Sequence, residues 1–480
     1  MLSQQEYARL DATALSELIR QGEVTASEVL DAAIARIEAL NPRINAIVET
    51  QYDAARAAIS AGLPDGPFRG VPFAIKDLHT LVRGSRLSHG SAFFADHVSD
   101  HDSAIVAKAR AAGLVILGRT NTPEFGLNST TESAFLGATH NPWNLERSAG
   151  GSSGGSGAAV ASGMLPMAHA TDSGGSTRIP AACCGVIGLK PTRGRILAGL
   201  DVGEGWHDNF HAFAITRSVR DTALLLDLLK NIDEPAPTYA PGPQVSYRSL
   251  LQSPPPQGLR IGVIRRPASG VPVAAECLNG LDATIRLLEG LGHSVQPLAL
   301  AFDTASVAKG FLTMLASSVA STVAHHEAKT GRKAVPSDFQ ATVWDTLMIG
   351  RTLSAGELNA AIAGVHMTAA TILRQTNAFD VVLSPTVATE PPLLGTLDAS
   401  AGSIESFLPK VFGFAPFTSM YNVTGQPAIS LPLATSASGL PIGMQFAAAP
   451  GREDLLIALA AQLEAASDWP QRQRALIERL

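Results

Sequence analysis

Apolar residues Leu30, Ala33, Ile34 and Ile37 recur at i, i+3, i+4 and i+7, which predicts an amphipathic helix. Just ahead of them, Thr25-Ala-Ser-Glu28 is a capping-box pattern, and Asn41-Pro42 is expected to end the helix. Residues 1–60 as a whole read as helical. From Gly70 onward the period changes, and short apolar runs alternate with helical stretches. Residues 71–75 predict a buried strand ending at Lys76-Asp77, residues 103–112 an amphipathic helix, and residues 114–117 a second short strand. Further strands are expected at 259–264 and 380–383, with a helix over 274–291. Strands alternating with helices in this way predict an α/β protein whose sheet is covered by helices on both faces.

Three further stretches stand apart. Residues 235–258 are rich in Pro, Gly and Ser, with Pro254-Pro255-Pro256 near the end, and read as a connection or large surface loop. Residues 302–377 read as mostly helical and are expected to cover one side of the sheet. The last segment, 452–480, reads as helix broken once by Pro470.

Composition narrows the function classes. The 480 residues are 46% hydrophobic and 16% charged, a globular balance far from that of disordered chains. No linker is long or polar enough to force a split, so a single domain over 1–480 is expected. With 36 Lys+Arg against 42 Asp+Glu the net charge is −6, and no basic cluster suggests nucleic acid or an anionic membrane. A small-molecule partner fits better. The N-terminus lacks a basic region followed by an apolar core, no run of 18 apolar residues occurs, and the three cysteines have no metal-ligand spacing. These features favour a cytoplasmic location.

The chemistry concentrates between Gly150 and Arg178, where two glycine-rich turns bear Ser152, Ser153 and Ser156, then Ser173 and Ser176. A flexible linker would not run straight into an Ala/Val segment and a second glycine turn. A phosphate-binding P-loop would need a Lys-Ser/Thr pair after its last glycine, and none is present. The nucleophile elbow of an α/β-hydrolase esterase is matched literally by Gly151-Ser152-Ser153-Gly154-Gly155, with Ser153 as nucleophile. That fold requires a strand before the motif and a late histidine, whereas Ser148-Ala149 reads as no strand and the last histidine is His366. Asp96-His97 with Asp100-His101-Asp102 offers metal-ligating side chains but reads better as an exposed acidic cap ahead of a helix.

Taken as one site, the two turns resemble the amidase signature family of serine hydrolases. The resemblance rests on Gly70-Val-Pro-Phe-Ala-Ile-Lys76-Asp77, Gly118-Arg-Thr-Asn-Thr-Pro-Glu124, Asn141-Pro-Trp-Asn144 and Gly150-Gly-Ser-Ser-Gly-Gly-Ser156. It continues through Asp172-Ser-Gly-Gly-Ser-Thr-Arg178, Gly188-Leu-Lys-Pro-Thr192, Gly425-Gln-Pro-Ala-Ile-Ser-Leu-Pro432 and Gly439-Leu-Pro-Ile-Gly443. It is densest over 70–225 and implies one large domain around a mixed sheet.

Carried over by position, the resemblance implies Ser176 as nucleophile, Ser152 as proton relay across a cis Gly151–Ser152 peptide, and Lys76 as base. It places the oxyanion hole at the N–H groups of Ser173, Gly174, Gly175 and Ser176, with Asp172, Arg178 and Ser153 as supports. Lys76 ends an apolar strand, and burial disfavours a charged lysine, as a base requires. The scheme needs no metal and no cofactor. Implied substrates are small amides or carbamates: apolar linear or cyclic amides such as 6-aminohexanoate oligomers, anilides or urethanes. A glutaminase subunit of a tRNA amidotransferase is the alternative within the family. Phe125, Trp206, Leu315, Met420 and Tyr421 are expected to line the pocket, and a homodimer is admitted.

Overall fold

The computed structural model describes residues 2–197, 207, 209–230, 238, 240–243 and 245–480. A small three-stranded sheet holds β1 (Ile47–Thr50), β2 (Pro72–Lys76) and β3 (Val115–Thr120) in the order β1-β3-β2, with β2 parallel and β1 antiparallel to β3. Among the described residues the main sheet has eight strands: β4 (Met167–Asp172), β5 (Ile187–Lys190), β6 (His211–Thr216), β7 (Arg260–Val263), β8 (Ser294–Pro297), β9 (Val381–Pro385), β10 (Ala428–Thr435) and β11 (Pro441–Ala448). Their order is β8-β7-β9-β11-β10-β5-β6-β4. Strand β7 runs parallel to β8 and β9, and every other pair is antiparallel, so the sheet is mixed.

Helices cover both faces, and neighbouring residues of β11 show it. A Cβ placed on Gly443 would fall 2.4 Å from Ala182 Cβ, in helix α3 (Arg178–Cys184). One residue on, Met444 packs against Gly280 of the helix Ala275–Gly290. Successive strand residues point to opposite faces, so these two helices lie on opposite sides. One buried cluster runs from Tyr7 to Ile477 through this arrangement.

Several local expectations are corrected. Helix α1 (Ala26–Ile44) runs through Pro42, because a proline in the last turn forfeits only one backbone bond. It stops at Asn45, in the left-handed region with φ 55°, while Asn41 Oδ1 accepts from the amides of Ala46 and Ile47 at 2.8 Å. At the C-terminus the break lies at 466–468, and Pro470 sits in the first turn of the final helix Trp469–Arg479, where its missing N–H costs nothing. Within 235–258, the helix Tyr247–Leu250 docks on the helices Val219–Leu229 and Glu453–Ala465, burying Tyr247.

The segment 302–377 forms α4 (Thr304–Thr330), α5 (Ala341–Thr352) and α6 (Ala355–Thr376). These helices pack chiefly on one another instead of spreading over a sheet face. Leu315, Val319 and Val323 of α4 join Phe93, Phe94, Phe125 and Val343 in a separate apolar cluster. They thereby roof the end of the molecule where β2 and β4 finish.

Candidate active site

All five residues of β2 are buried, and the strand delivers Lys76 into the interior with no exposed surface. Its Nζ lies 2.6 Å from Ser152 Oγ and donates to Thr171 Oγ1 at 2.9 Å. Burial drives the Lys76 amine well below the usual lysine range, against the opposing pull of the Asp172 carboxylate. His169, two residues before Thr171 on the same face of β4, accepts the Lys76 backbone N–H at 3.3 Å. Burial pushes that imidazole down to about 3, so it adds no charge beside the amine.

Ser152 follows Gly151 across a cis peptide bond, and the loop passes directly into the buried helix α2 (Gly154–Ala161). Ser153 and Ser156 fasten this loop to the sheet. Ser153 Oγ donates to Thr171 O at 3.2 Å, and its amide donates to Ser176 O at 3.1 Å. Ser156 Oγ donates to His169 O at 2.7 Å. The strand absent from the sequence reading is present, since Asn144–Ser148 pairs with His140–Asn141 just ahead of the loop. It belongs to a two-stranded hairpin outside the main sheet. Asp102, from the acidic stretch before the helix Ala104–Ala111, pairs with Arg110 at 2.8 Å.

The second turn is staged by Asp172, the last residue of β4. Its Oδ1 accepts from the Gly175 amide at 2.8 Å and its Oδ2 from Thr177 at 3.2 Å. Arg178 grips both carboxylate oxygens, Nε to Oδ2 at 2.9 Å and Nη2 to Oδ1 at 2.8 Å, and also donates to Thr418 O, Gln445 Oε1 and Asn422 Oδ1. Burial alone would raise the Asp172 pKa, but the Arg178 guanidinium and the Asn422 amide hold it well below the usual carboxylate range. Thr418 Oγ1 closes the turn from the other side by donating to Gly174 O at 2.6 Å.

The amides of the turn expected to form the oxyanion hole differ in their partners. The Gly175 N–H is already taken by Asp172, whereas the amides of Gly174 and Ser176 meet no protein acceptor among the described residues. Gly175 adopts φ +134°, and a Cβ there would fall 2.4 Å from Thr418 Oγ1, so only glycine fits.

Ser173, Gly174 and Ser176 line a cavity of about 60 Å³ together with Gly151, Asn128, Ser129, Phe311, Leu315 and Phe412. Of the expected pocket residues, Leu315 is therefore at the cavity. Phe125 is instead buried in the neighbouring aromatic cluster, stacked on His89, and Tyr421 is fully buried in the core. Met420 lines a separate apolar cavity of about 470 Å³, and Trp206 lies outside the described residues. The sequence reading passed over Thr171, Thr418, Asn422 and Phe412. For Thr171 a signal existed: His169 and Thr171 are polar residues two apart, each preceded by an alanine, hence on one face of the strand.

Comparison with known proteins places this geometry. The Amidase family model matches residues 28–457. The chain is 40% identical over 484 residues to a 6-aminohexanoate-cyclic-dimer hydrolase of Paenarthrobacter ureafaciens, with 97% of each chain covered. A solved structure of 6-aminohexanoate cyclic dimer hydrolase complexed with substrate aligns at TM-score 0.92 and 38% identity, over 98% of this chain and 99% of the other. A bacterial aryl acylamidase aligns at TM-score 0.88 and 27% identity, over 98% and 99%. Motifs, fold and these matches agree along nearly the whole length, and the chain belongs to the amidase signature family of hydrolases.

Proposed function

We propose that this amidase cleaves its substrate through an ester on Ser176, with Ser152 as relay and Lys76 as base. The observation that carries the reading is the 2.6 Å approach of Lys76 Nζ to Ser152 Oγ in a fully buried setting that favours the neutral amine. Ser176 Oγ attacks the amide carbon while its proton passes to Ser152 Oγ, whose own proton passes to Lys76 Nζ. The oxyanion is met by the free N–H groups of the turn, Gly174 and Ser176 foremost. On collapse the proton returns through Ser152 to the departing nitrogen, leaving an acyl ester on Ser176. Water then enters by the same relay and releases the acid.

The apolar side chains of Ile179, Phe311, Leu315, Leu408 and Phe412 around Ser176 support apolar amides, anilides or urethanes as substrates. The likeness to a hydrolase of a cyclic amide points the same way. A panel of anilide, lactam, ester, urethane and glutamine substrates separates these from a glutaminase. The mechanism itself is tested by intact mass after treatment with a fluorophosphonate. One adduct on Ser176, lost in Ser176→Ala and insensitive to EDTA, is expected. An adduct on Ser153, or none, overturns the reading.

A further inference from the structure

The cavity at Ser176 holds about 60 Å³, well below the roughly 300–1,000 Å³ of sites that enclose a drug-sized ligand. Any substrate larger than a few heavy atoms must reach beyond it. Two larger cavities are candidates to receive the remainder. One, of about 710 Å³, is walled by imidazoles and hydroxyls including His79, His97, His326 and Ser318, and shares no lining residue with the Ser176 cavity. The other, of about 470 Å³, shares Phe311, Leu408 and Phe412 with it. Phe311 and Phe412 meet edge to face, with ring centroids 5.9 Å apart, and so form the wall common to both spaces.

The 470 Å³ cavity is lined by Ile264, Leu300, Phe302, Leu312, Ile372 and Met420 among others. The charged residues in its wall, Lys309 and Glu405, are both exposed. A charged or strongly hydrogen-bonding group placed there would lose hydration for little in return, whereas a hydrocarbon chain would gain from burial. We propose that this cavity is a subsite for an aliphatic chain of the substrate, entered past Phe311 and Phe412, and that the enzyme prefers amides bearing such a chain over compact ones. The proposal rests on the Ser176 reading above.

The test is a chain-length series measured on the wild-type enzyme. Acyl p-nitroanilides from acetyl to decanoyl probe the acyl side, and acetamides of the matching N-alkyl amines probe the amine side. In one of the two series kcat/KM is expected to rise about fourfold per methylene until the cavity fills, the ~0.8 kcal/mol of a buried CH₂ expressed as a rate. Ala308→Trp, which narrows the cavity, is expected to flatten that slope. Should this variant not fold, inactivation of the wild-type enzyme by fluorophosphonates of increasing alkyl length gives the same readout. Flat series alongside hydrolysis of the acetyl anilide, or an unchanged slope in folded Ala308→Trp, overturns the subsite and leaves the serine mechanism standing. No turnover and no fluorophosphonate adduct overturns both.

Discussion

Replacing Arg178 by methionine isolates what holds the second turn in place. The guanidinium makes five hydrogen bonds, two of them to Asp172, and both side chains are essentially unexposed. Removing one partner of a buried ion pair costs about 3–5 kcal/mol, because the remaining charge stays buried without compensation. At ~2.1 cal/mol/K of unfolding entropy per residue, 480 residues give about 1 kcal/mol/K, so Tm is expected to fall by about 3–5 °C. The pH dependence is more diagnostic than the size. In the wild type, Asp172 titrates below its unfolded value, so the stability it contributes is present above about pH 4 and lost as pH falls through the native pKa. Without Arg178, burial dominates and lifts the native pKa above the unfolded one, so the variant loses stability as pH rises from about 4 toward neutrality. Scanning calorimetry of both proteins across that interval should show the Tm gap widening with pH. The double variant Asp172→Asn/Arg178→Met should lose less than the sum of the two single changes. A gap below about 1 °C, or one that does not change with pH, would refute the reasoning.

Three other outcomes follow from the same geometry. For Lys76→Ala, hydrolysis should slow by about 10²–10⁴, and the rise of wild-type kcat/KM with pH, as the depressed Lys76 pKa is passed, should vanish; a variant at the wild-type rate rules out the base. Gly175→Ala should lower kcat by about 10² because its Cβ collides with Thr418. Gly364→Ala, in α6 with nothing within 4 Å, should be neutral or slightly stabilising, and equal losses in kcat at both positions would remove the turn's special role. All three cysteines are buried, and burial pushes Cys277 up to about 12 and raises Cys183 and Cys184 as well. A disulfide-exchange reagent should therefore label none in the folded enzyme and three after guanidinium, and any rapid labelling of native protein contradicts the packing.

Much of the site was legible from residue type and spacing. A lysine ending an apolar strand and serines in two glycine turns carry their chemistry in one dimension, and Lys76 and Ser152 indeed meet. What the sequence concealed is the set of groups brought in from a distance. Thr418, in the turn just before the helix Met420–Thr424, and Asn422, within that helix, both turn toward Asp172 and the 173–176 loop. Their neighbours Met420 and Tyr421, expected at the pocket, join a buried apolar cluster, with Met420 also lining the 470 Å³ cavity. The bond from the Gly175 N–H to Asp172 was hidden, because glycine in a turn signals freedom of backbone and only coordinates show which atom its N–H meets. The strands beginning near residues 72, 115, 260 and 381 followed from periodicity, but β1 (Ile47–Thr50) lies inside a stretch read as helical, and the two proline boundaries failed because a proline near a helix end costs too little to break it.

The tie between Asp172 and Asn422 spans 250 positions. Lys76, Ser152, Ser176 and Arg178 all precede residue 180, but Thr418, Asn422 and Gln445, which complete the cradle of the turn, are among the last to leave the ribosome. On the proposed mechanism, a nascent chain thus carries Ser176 through most of synthesis without the groups that hold its turn in place. On that mechanism hydrolytic competence arrives late, and a product truncated before residue 418 is expected to keep Lys76, Ser152 and Ser176 and still be inert.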